Sequence, residues 1–163
     1  MRIIYLLLSP TYGMHQYTAD LANRQADEGH EVHLVTTARA PRLPYAPAVQ
    51  IHTPVNTATT GFARDGLNPA GPRRVLAAVD AIIRGKAQPT VVHITGVHLW
   101  NPLLLRPLRR RGLPVIHTLH DLDPHLGVRF GRLIRLWNRS VLAGSDRILV
   151  HGERYRRRLL QAG

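Results

Sequence analysis

The chain has 163 residues, 44% of them apolar and only 20% charged, which suits one folded domain and excludes a charge-rich disordered polymer. It has no cysteine, which excludes disulfides, Cys-ligated metal centres and a thiol nucleophile. The formal charge is +12, and Lys86 is the only lysine among 22 basic residues, a balance that favours anionic partners such as phosphates, nucleic acid or acidic head groups.

The segments alternate between strand-like and helix-like. Arg2–Ser9 is a continuous apolar run and reads as a strand buried on both faces. Pro10–Gly13 reads as a turn, with Gly13 giving a tight backbone path. His15–Glu28 reads as a helix with Met14, Tyr17, Leu21 and Ala22 on its apolar side and Gly29 as its stop. Glu31–Thr37 is rich in Val and Thr and reads as a strand. Val49–Val55 reads as a short strand, and the Pro- and Gly-punctuated stretch 56–71 as a long loop.

Arg73–Arg84 carries the stripe Val75, Leu76, Val79, Ile82 and Ile83, which predicts a helix. Thr90–Thr95 reads as a buried strand closed by Gly96. Asn101-Pro102 predicts a helix start with Asn101 as cap, running to Arg111, and Pro107 should kink or divide it. Pro114–Leu119 reads as a strand and Gly127–Ala143 as a helix whose apolar face includes Phe130, Leu133, Ile134, Trp137 and Val141. Arg147–Val150 reads as a last short strand and Glu153–Ala162 as a basic helix. The longest apolar run, Ile3–Leu8, is far below the ~20 residues of a membrane span, and the start is too short for a signal peptide. The expectation is a soluble cytoplasmic α/β protein: a Rossmann-like, doubly wound, mostly parallel sheet with helices on both faces.

In such sheets ligands bind beyond the carboxyl ends of the strands. Four stretches occupy those ends: Ser9–His15, Thr36-Thr37, Thr95–His98 and Leu119–His125. The loop through Gly13 and Met14 leads into a helix N-terminus, where backbone N–H groups can hold an anion. It is not a G-x-G-x-x-G loop, which disfavours a dinucleotide fold of the NAD type. Along residues 117–120 the alternation separates His117 from His120. His120 falls at the strand end, where a neutral imidazole can exchange a hydrogen bond with a hydroxyl. His117, His120, Asp121, Asp123 and His125 are dense enough for a metal reading, but their spacing matches no ligand motif. Thr95, Gly96 and His98 are placed to line the same crevice, with His15 and Asp121 beside them, whereas His93, mid-strand, reads as a core histidine. No G-x-S-x-G supports a serine nucleophile. Arg129, Arg132, Arg135 and Arg139 form a basic stripe that reads either as an ordinary solvated face or as a face for an anionic membrane surface. Aromatics are too sparse, at 6%, for a nucleic-acid stacking surface.

Taken together, several segments resemble the retaining glycosyltransferases of the GT-B fold, group 1 type, family 4. Gly13 with its helix, and Glu28-Gly29-His30-Glu31-Val32, look like that family's opening. Val91-Val92-His93-Ile94 resembles its "D-V-V-H-x-H" strand, with Thr90 in place of Asp and Thr95 in place of the second His. Residues 112–121 resemble "G-x-P-V-V-x-T-x-H-D", and residues 145–151 resemble "A-D-x-I-I-V-x-S". The resemblance implies a two-domain enzyme in which this chain, residues 1–163, is the acceptor-side half and a C-terminal donor-binding domain is missing. It implies His120 as the active-site histidine facing the donor sugar, Gly13 and Met14 near the donor phosphates, and a nucleotide-sugar as substrate with no further cofactor. The family's pair of Glu eight positions apart is not in this chain. The expected partners are therefore the nucleotide-sugar, an acceptor, the missing domain and, through the basic helices, an anionic inner membrane face. The fragment alone is expected to be inactive. The rival readings are a complete, non-enzymatic phosphate- or nucleotide-binding domain of flavodoxin-like topology, and a basic membrane-surface module.

Overall fold

The computed structural model describes residues 1–61, 67–85, 87–120 and 131–162, with backbone alone for 131–134 and 162. Six strands are linked by five helices: β1 (Arg2–Leu7), α1 (Tyr12–Asp27), β2 (Glu31–Thr37), β3 (Val49–Val55), α2 (Ala70–Ile83), β4 (Thr90–Ile94), α3 (Asn101–Arg110), β5 (Val115–Leu119), α4 (Gly131–Gly144), β6 (Arg147–Val150) and α5 (Glu153–Ala162). The strands form one sheet in the order β3-β2-β1-β4-β5-β6, and every pairing is parallel. This is the doubly wound, Rossmann-like arrangement, with the strand order reversing beside β1.

Each face has its own core. Ile4, Leu6 and Leu8 join Val92, Ile94, Val115 and Leu119 against α2, α3 and α4. On the other face Ile3, Tyr5 and Leu7 join Val32 and Leu34 against Ala22 of α1. A central strand covered on both sides must be apolar throughout, which is why every residue of β1 is buried and the run shows no alternation. Arg2, at its start, is buried too. Its Nε donates to Glu31 Oε1 at 2.7 Å, and Gln88 bonds the other carboxylate oxygen. Glu31 also accepts from His33 at 2.8 Å, and its carboxyl is held down to about 2, chiefly by the Arg2 bond and then by His33. This cluster closes the amino end of the sheet, opposite the ligand rim.

Four segments differ from the sequence reading. α1 begins at Tyr12 and takes Gly13 into its first turn, and α2 begins at Ala70 and takes Pro72 into its first turn, where the missing N–H costs nothing. Asn101 is not a cap. Its side chain turns inward, and Trp100 precedes the helix without a side-chain cap bond. Pro107 neither ends nor divides α3, which runs unbroken from Asn101 to Arg110. The carbonyl it cannot bond belongs to Leu103, which is 60% exposed, so water can take that acceptor. The start of the expected helix at residues 127–130, with Phe130, lies outside the described residues.

Candidate functional site

The carboxyl ends of β1, β4, β5 and β6 lie at one rim: Leu6 is level with Ile94, Ile94 with His117, and Leu119 with Val150. Hydroxyls lace this rim together. Thr36 Oγ1 donates to the Leu7 carbonyl at 2.6 Å, Thr37 Oγ1 to the Thr57 carbonyl at 2.8 Å, and Thr57 to the Leu8 carbonyl. The Thr-rich end of β2 thus satisfies carbonyls that the sheet leaves unpaired as its strands diverge.

His120 follows β5 directly and is half-buried. Its Nε2 lies 2.8 Å from the Thr95 carbonyl. A carbonyl only accepts, so Nε2 carries a proton, and the lone pair of the ring's neutral form lies on Nδ1. The ring is wedged edge-on against Tyr17 of α1, with centroids 5.4 Å apart, and lies 4.9 Å from the ring of His151 at a 32° tilt. His151 is itself edge-on to Tyr17 at 5.1 Å. Three aromatic rings from α1, β5 and β6 therefore meet at the rim.

Thr95 anchors the same point from the other side. It is buried, and its hydroxyl lies 2.7 Å from that of Thr18 on α1. Gly96 is needed for close approach: a Cβ there would stand 2.2 Å from Leu7 Cδ1 and 3.1 Å from Met14 Sδ. Met14, Thr18, Thr95, Gly96 and His120 are thus one contiguous patch, and the first turn of α1 shares the rim with the imidazole. That turn has no acidic residue and no side-chain cap bond, and its first intrahelical bond runs from His15 N to the Thr11 carbonyl. The N–H groups of residues 12–14 are the helix's unsatisfied donors. Gly13 is exposed here, and a Cβ on it would touch nothing within 4 Å. It does not supply the tight turn its sequence suggested. What it leaves is open space over the amides. Gly13→Ala should therefore leave thermal stability unchanged or slightly raised, since alanine is the better helix former, yet weaken phosphate or nucleotide binding at least several-fold. A thermal melt beside a ligand titration checks both halves.

Other residues expected in the crevice sit elsewhere. His15 is fully buried: Nε2 donates to the Ser9 carbonyl at 3.0 Å, Nδ1 lies 3.2 Å from the Tyr45 hydroxyl, and burial lowers its pKa. It clamps α1 to β1 and presents no face to a ligand. His98 is also buried, on the opposite face, edge-on to Trp100 at 4.6 Å and lying beneath Gly61, while its carbonyl accepts from Trp137 Nε1 at 2.9 Å. His98 lies past the end of β4, where alternation no longer fixes which way a side chain points, and His15 is already inside α1, on the face that meets Ser9 and Tyr45. Asp121 and Arg129 lie outside the described residues, as does the side chain of Arg132. Arg135 and Arg139 are exposed on the outer side of α4.

Behind the rim lie two buried neutral histidines. His117 Nδ1 donates to the Thr118 carbonyl at 3.0 Å, so its Nε2 accepts from Asn101 Nδ2 at 3.1 Å. The same amide donates to the Gly96 carbonyl at 2.7 Å and so ties α3 to the rim. His93 lies 2.8 Å from the Thr118 hydroxyl, which in turn lies 3.4 Å from that of Tyr17. Burial, reinforced by His120, pushes His93 down to about 4, and burial pushes His117 down to about 3. Each binds a proton near pH 6.5 in the unfolded chain and much lower when folded, so the stability they contribute is complete above pH 6.5 and is lost as the pH falls toward 4. Unfolding midpoints measured between pH 7.5 and 5 should drop, with each histidine costing roughly 2 kcal/mol at pH 5. A flat profile across that window counts against both assignments.

Tyr17, Thr18, Thr118 and His151 pack at the same rim as His120 and Thr95, and the sequence did not single them out. Tyr17 looked like part of a core stripe, but it sits at the edge of that stripe. His151 was legible by the rule that found His120, since it directly follows a strand. Among the described residues no group of three or more His, Asp or Glu is arranged to hold a metal ion, and no helix is long and apolar enough to cross a membrane.

A search of curated proteins finds no match to the chain. A family model for the glycosyl transferase 4-like domain matches residues 12–163. That match spans every element from α1 to α5, on an all-parallel doubly wound sheet, and the chain belongs to the glycosyl transferase 4-like family as the Rossmann-like N-terminal domain of a GT-B fold.

Proposed function

We propose that this domain is the acceptor-side half of a retaining glycosyltransferase that uses a nucleotide-sugar, and that it is incomplete for catalysis on its own. The observation that carries the reading is the shared rim. The first turn of α1, through Met14, and the imidazole of His120 lie at one rim, joined through Thr18, Thr95 and Gly96. A departing nucleoside diphosphate develops negative charge, which helix-terminal N–H groups stabilise. The imidazole, with Nε2 committed to Thr95, accepts a sugar hydroxyl at Nδ1 and fixes the ring for transfer.

The three glutamates support the reading of an incomplete enzyme. Glu31 is tied to Arg2 at the far end of the sheet, Glu28 pairs with Arg24, and Glu153 pairs with Arg156 and Arg157 on the surface. Each carboxylate is already paired with an arginine of this chain. The test is release of nucleoside diphosphate from a panel of nucleotide-sugars, comparing the 163-residue chain with the same chain joined to a donor-binding domain. Release by the joined protein alone is expected. Release by the short chain overturns the two-domain reading, and no release by either overturns the transferase reading.

A further inference from the structure

We propose that His151 is a positioning residue for His120: its ring, with that of Tyr17, holds the His120 imidazole in the one pose that sugar transfer uses. This deepens the transferase reading and rests on it for the kinetic part of the test alone.

The register of β5 and β6 sets the pair. Thr118 is level with Leu149 and Leu119 with Val150, so His120 and His151 form the next level, one step beyond the last paired residues. Level residues on neighbouring parallel strands point to the same side of the sheet, and the strands lie about 4.8 Å apart. The two imidazole centroids are 4.9 Å apart and their planes are inclined by 32°. The rings therefore continue the strand spacing as a tilted stack, and backbone pairing brings them together. Tyr17 of α1 closes the third side, 5.4 Å from His120 and 5.1 Å from His151, at 86° to both planes. Edge-to-face and offset contacts at such distances are those that flat rings prefer.

The Thr95 bond needs this support. His120 is half-buried, and its Nε2 lies 2.8 Å from the Thr95 carbonyl. One hydrogen bond near solvent is a weak lock on a side chain with three staggered χ1 wells and a broad χ2. Turning the ring over about χ2 exchanges Nδ1 with Cδ2 and Nε2 with Cε1, which breaks the Thr95 bond and moves the Nδ1 acceptor. The stack fixes the plane of the ring, and the hydrogen bond then fixes which nitrogen points where. This role asks for a flat ring at residue 151 and does not use its nitrogens.

The experiment compares His151→Ala with His151→Phe in the enzyme that carries this domain. His151→Ala is expected to lower kcat about ten-fold with KM within about two-fold of the parent, while His151→Phe keeps kcat within about three-fold. Because the residue acts through His120, His151→Ala should cost less than about two-fold once His120 is already alanine. In the 163-residue chain at about pH 8, where an ordinary histidine is neutral, the nitrogen-15 shifts of His120 should report one tautomer, with the proton on Nε2, in the parent and in His151→Phe, and a mixture in His151→Ala. That measurement needs no sugar donor, so a parent enzyme that transfers nothing overturns the transferase reading while the shifts still decide the positioning role. Unchanged His120 shifts in His151→Ala overturn the proposal. So does an equal loss of kcat in the alanine and phenylalanine variants, or an undiminished loss on the His120→Ala background, since either would make His151 a substrate contact through its own nitrogens.

Discussion

His120→Ala, made in the enzyme that carries this domain, is expected to lower kcat/KM for sugar transfer about 100-fold while leaving the fold intact. The side chain is half-buried at the rim, and its removal opens toward solvent and leaves no sealed cavity, so stability should change by less than about 1 kcal/mol. Its function depends on orientation. The Nε2–H bond to the Thr95 carbonyl and the edge of Tyr17 hold the ring in one pose with Nδ1 as the acceptor. A single preorganised hydrogen bond realised in the transition state is worth about 10²–10³ in rate. Tyr17→Phe keeps the ring that supports the imidazole and loses only the hydroxyl near Thr118, so it should cost far less, about three-fold or under. Steady-state kinetics of the two variants separate the roles. A His120→Ala enzyme within three-fold of the parent removes His120 from the mechanism.

The parallel sheet and most element boundaries follow from pattern, and the reasons differ by element. β2, β3, β6 and α5 begin and end where their composition changes, because Gly, Pro or polar clusters bound each of them. The starts of α1 and α2 fall three residues earlier than expected, because a Gly or Pro near a helix start looks like a loop until tertiary structure uses it. Gly13 sits in an open first turn, and Gly71 makes room for an indole ring. The apolar stripe of α1 shows the same limit. The residues buried beneath it are His15, Thr18, Ala19 and Ala22, because the sheet there offers the Ser9 carbonyl and the Thr95 hydroxyl as partners. Polarity along a helix does not reveal that a hydrogen-bonding floor lies below it. Position at the rim was legible where one physical rule governed it: His120 by strand-end position, and Thr95 and Gly96 by the turn after β4. His98 was misplaced because side-chain direction past a strand end is set by packing, here against Trp100 and Trp137, and His15 because it falls inside α1, on the face that meets the Ser9 carbonyl and Tyr45.

Gly71→Ala should destabilise the domain by about 3 kcal/mol, at the upper end of what overpacking costs. A methyl at residue 71 would stand 1.9, 2.3 and 2.5 Å from Cη2, Cζ2 and Cζ3 of Trp100. Those atoms belong to a rigid ring that cannot bend away, and the indole is buried and packed edge-on against His98. Either the first turn of α2 withdraws or the indole moves and takes the start of α3 with it. The second outcome reaches the rim, because Asn101, the next residue, bonds the Gly96 carbonyl and His117. For a domain of this size the loss corresponds to a fall in Tm of about 10 °C. Trp100→Phe supplies the control that identifies the cause. Alone it leaves a cavity where the larger ring lay and should cost about 2 kcal/mol, but it also clears the space that the new methyl needs. The double variant should therefore be more stable than the sum of the two losses predicts, with a coupling of at least about 1 kcal/mol. Strict additivity, or a Gly71→Ala protein that melts with the parent, would show that α2 and the indole are not in the contact that positions α3 beneath the site.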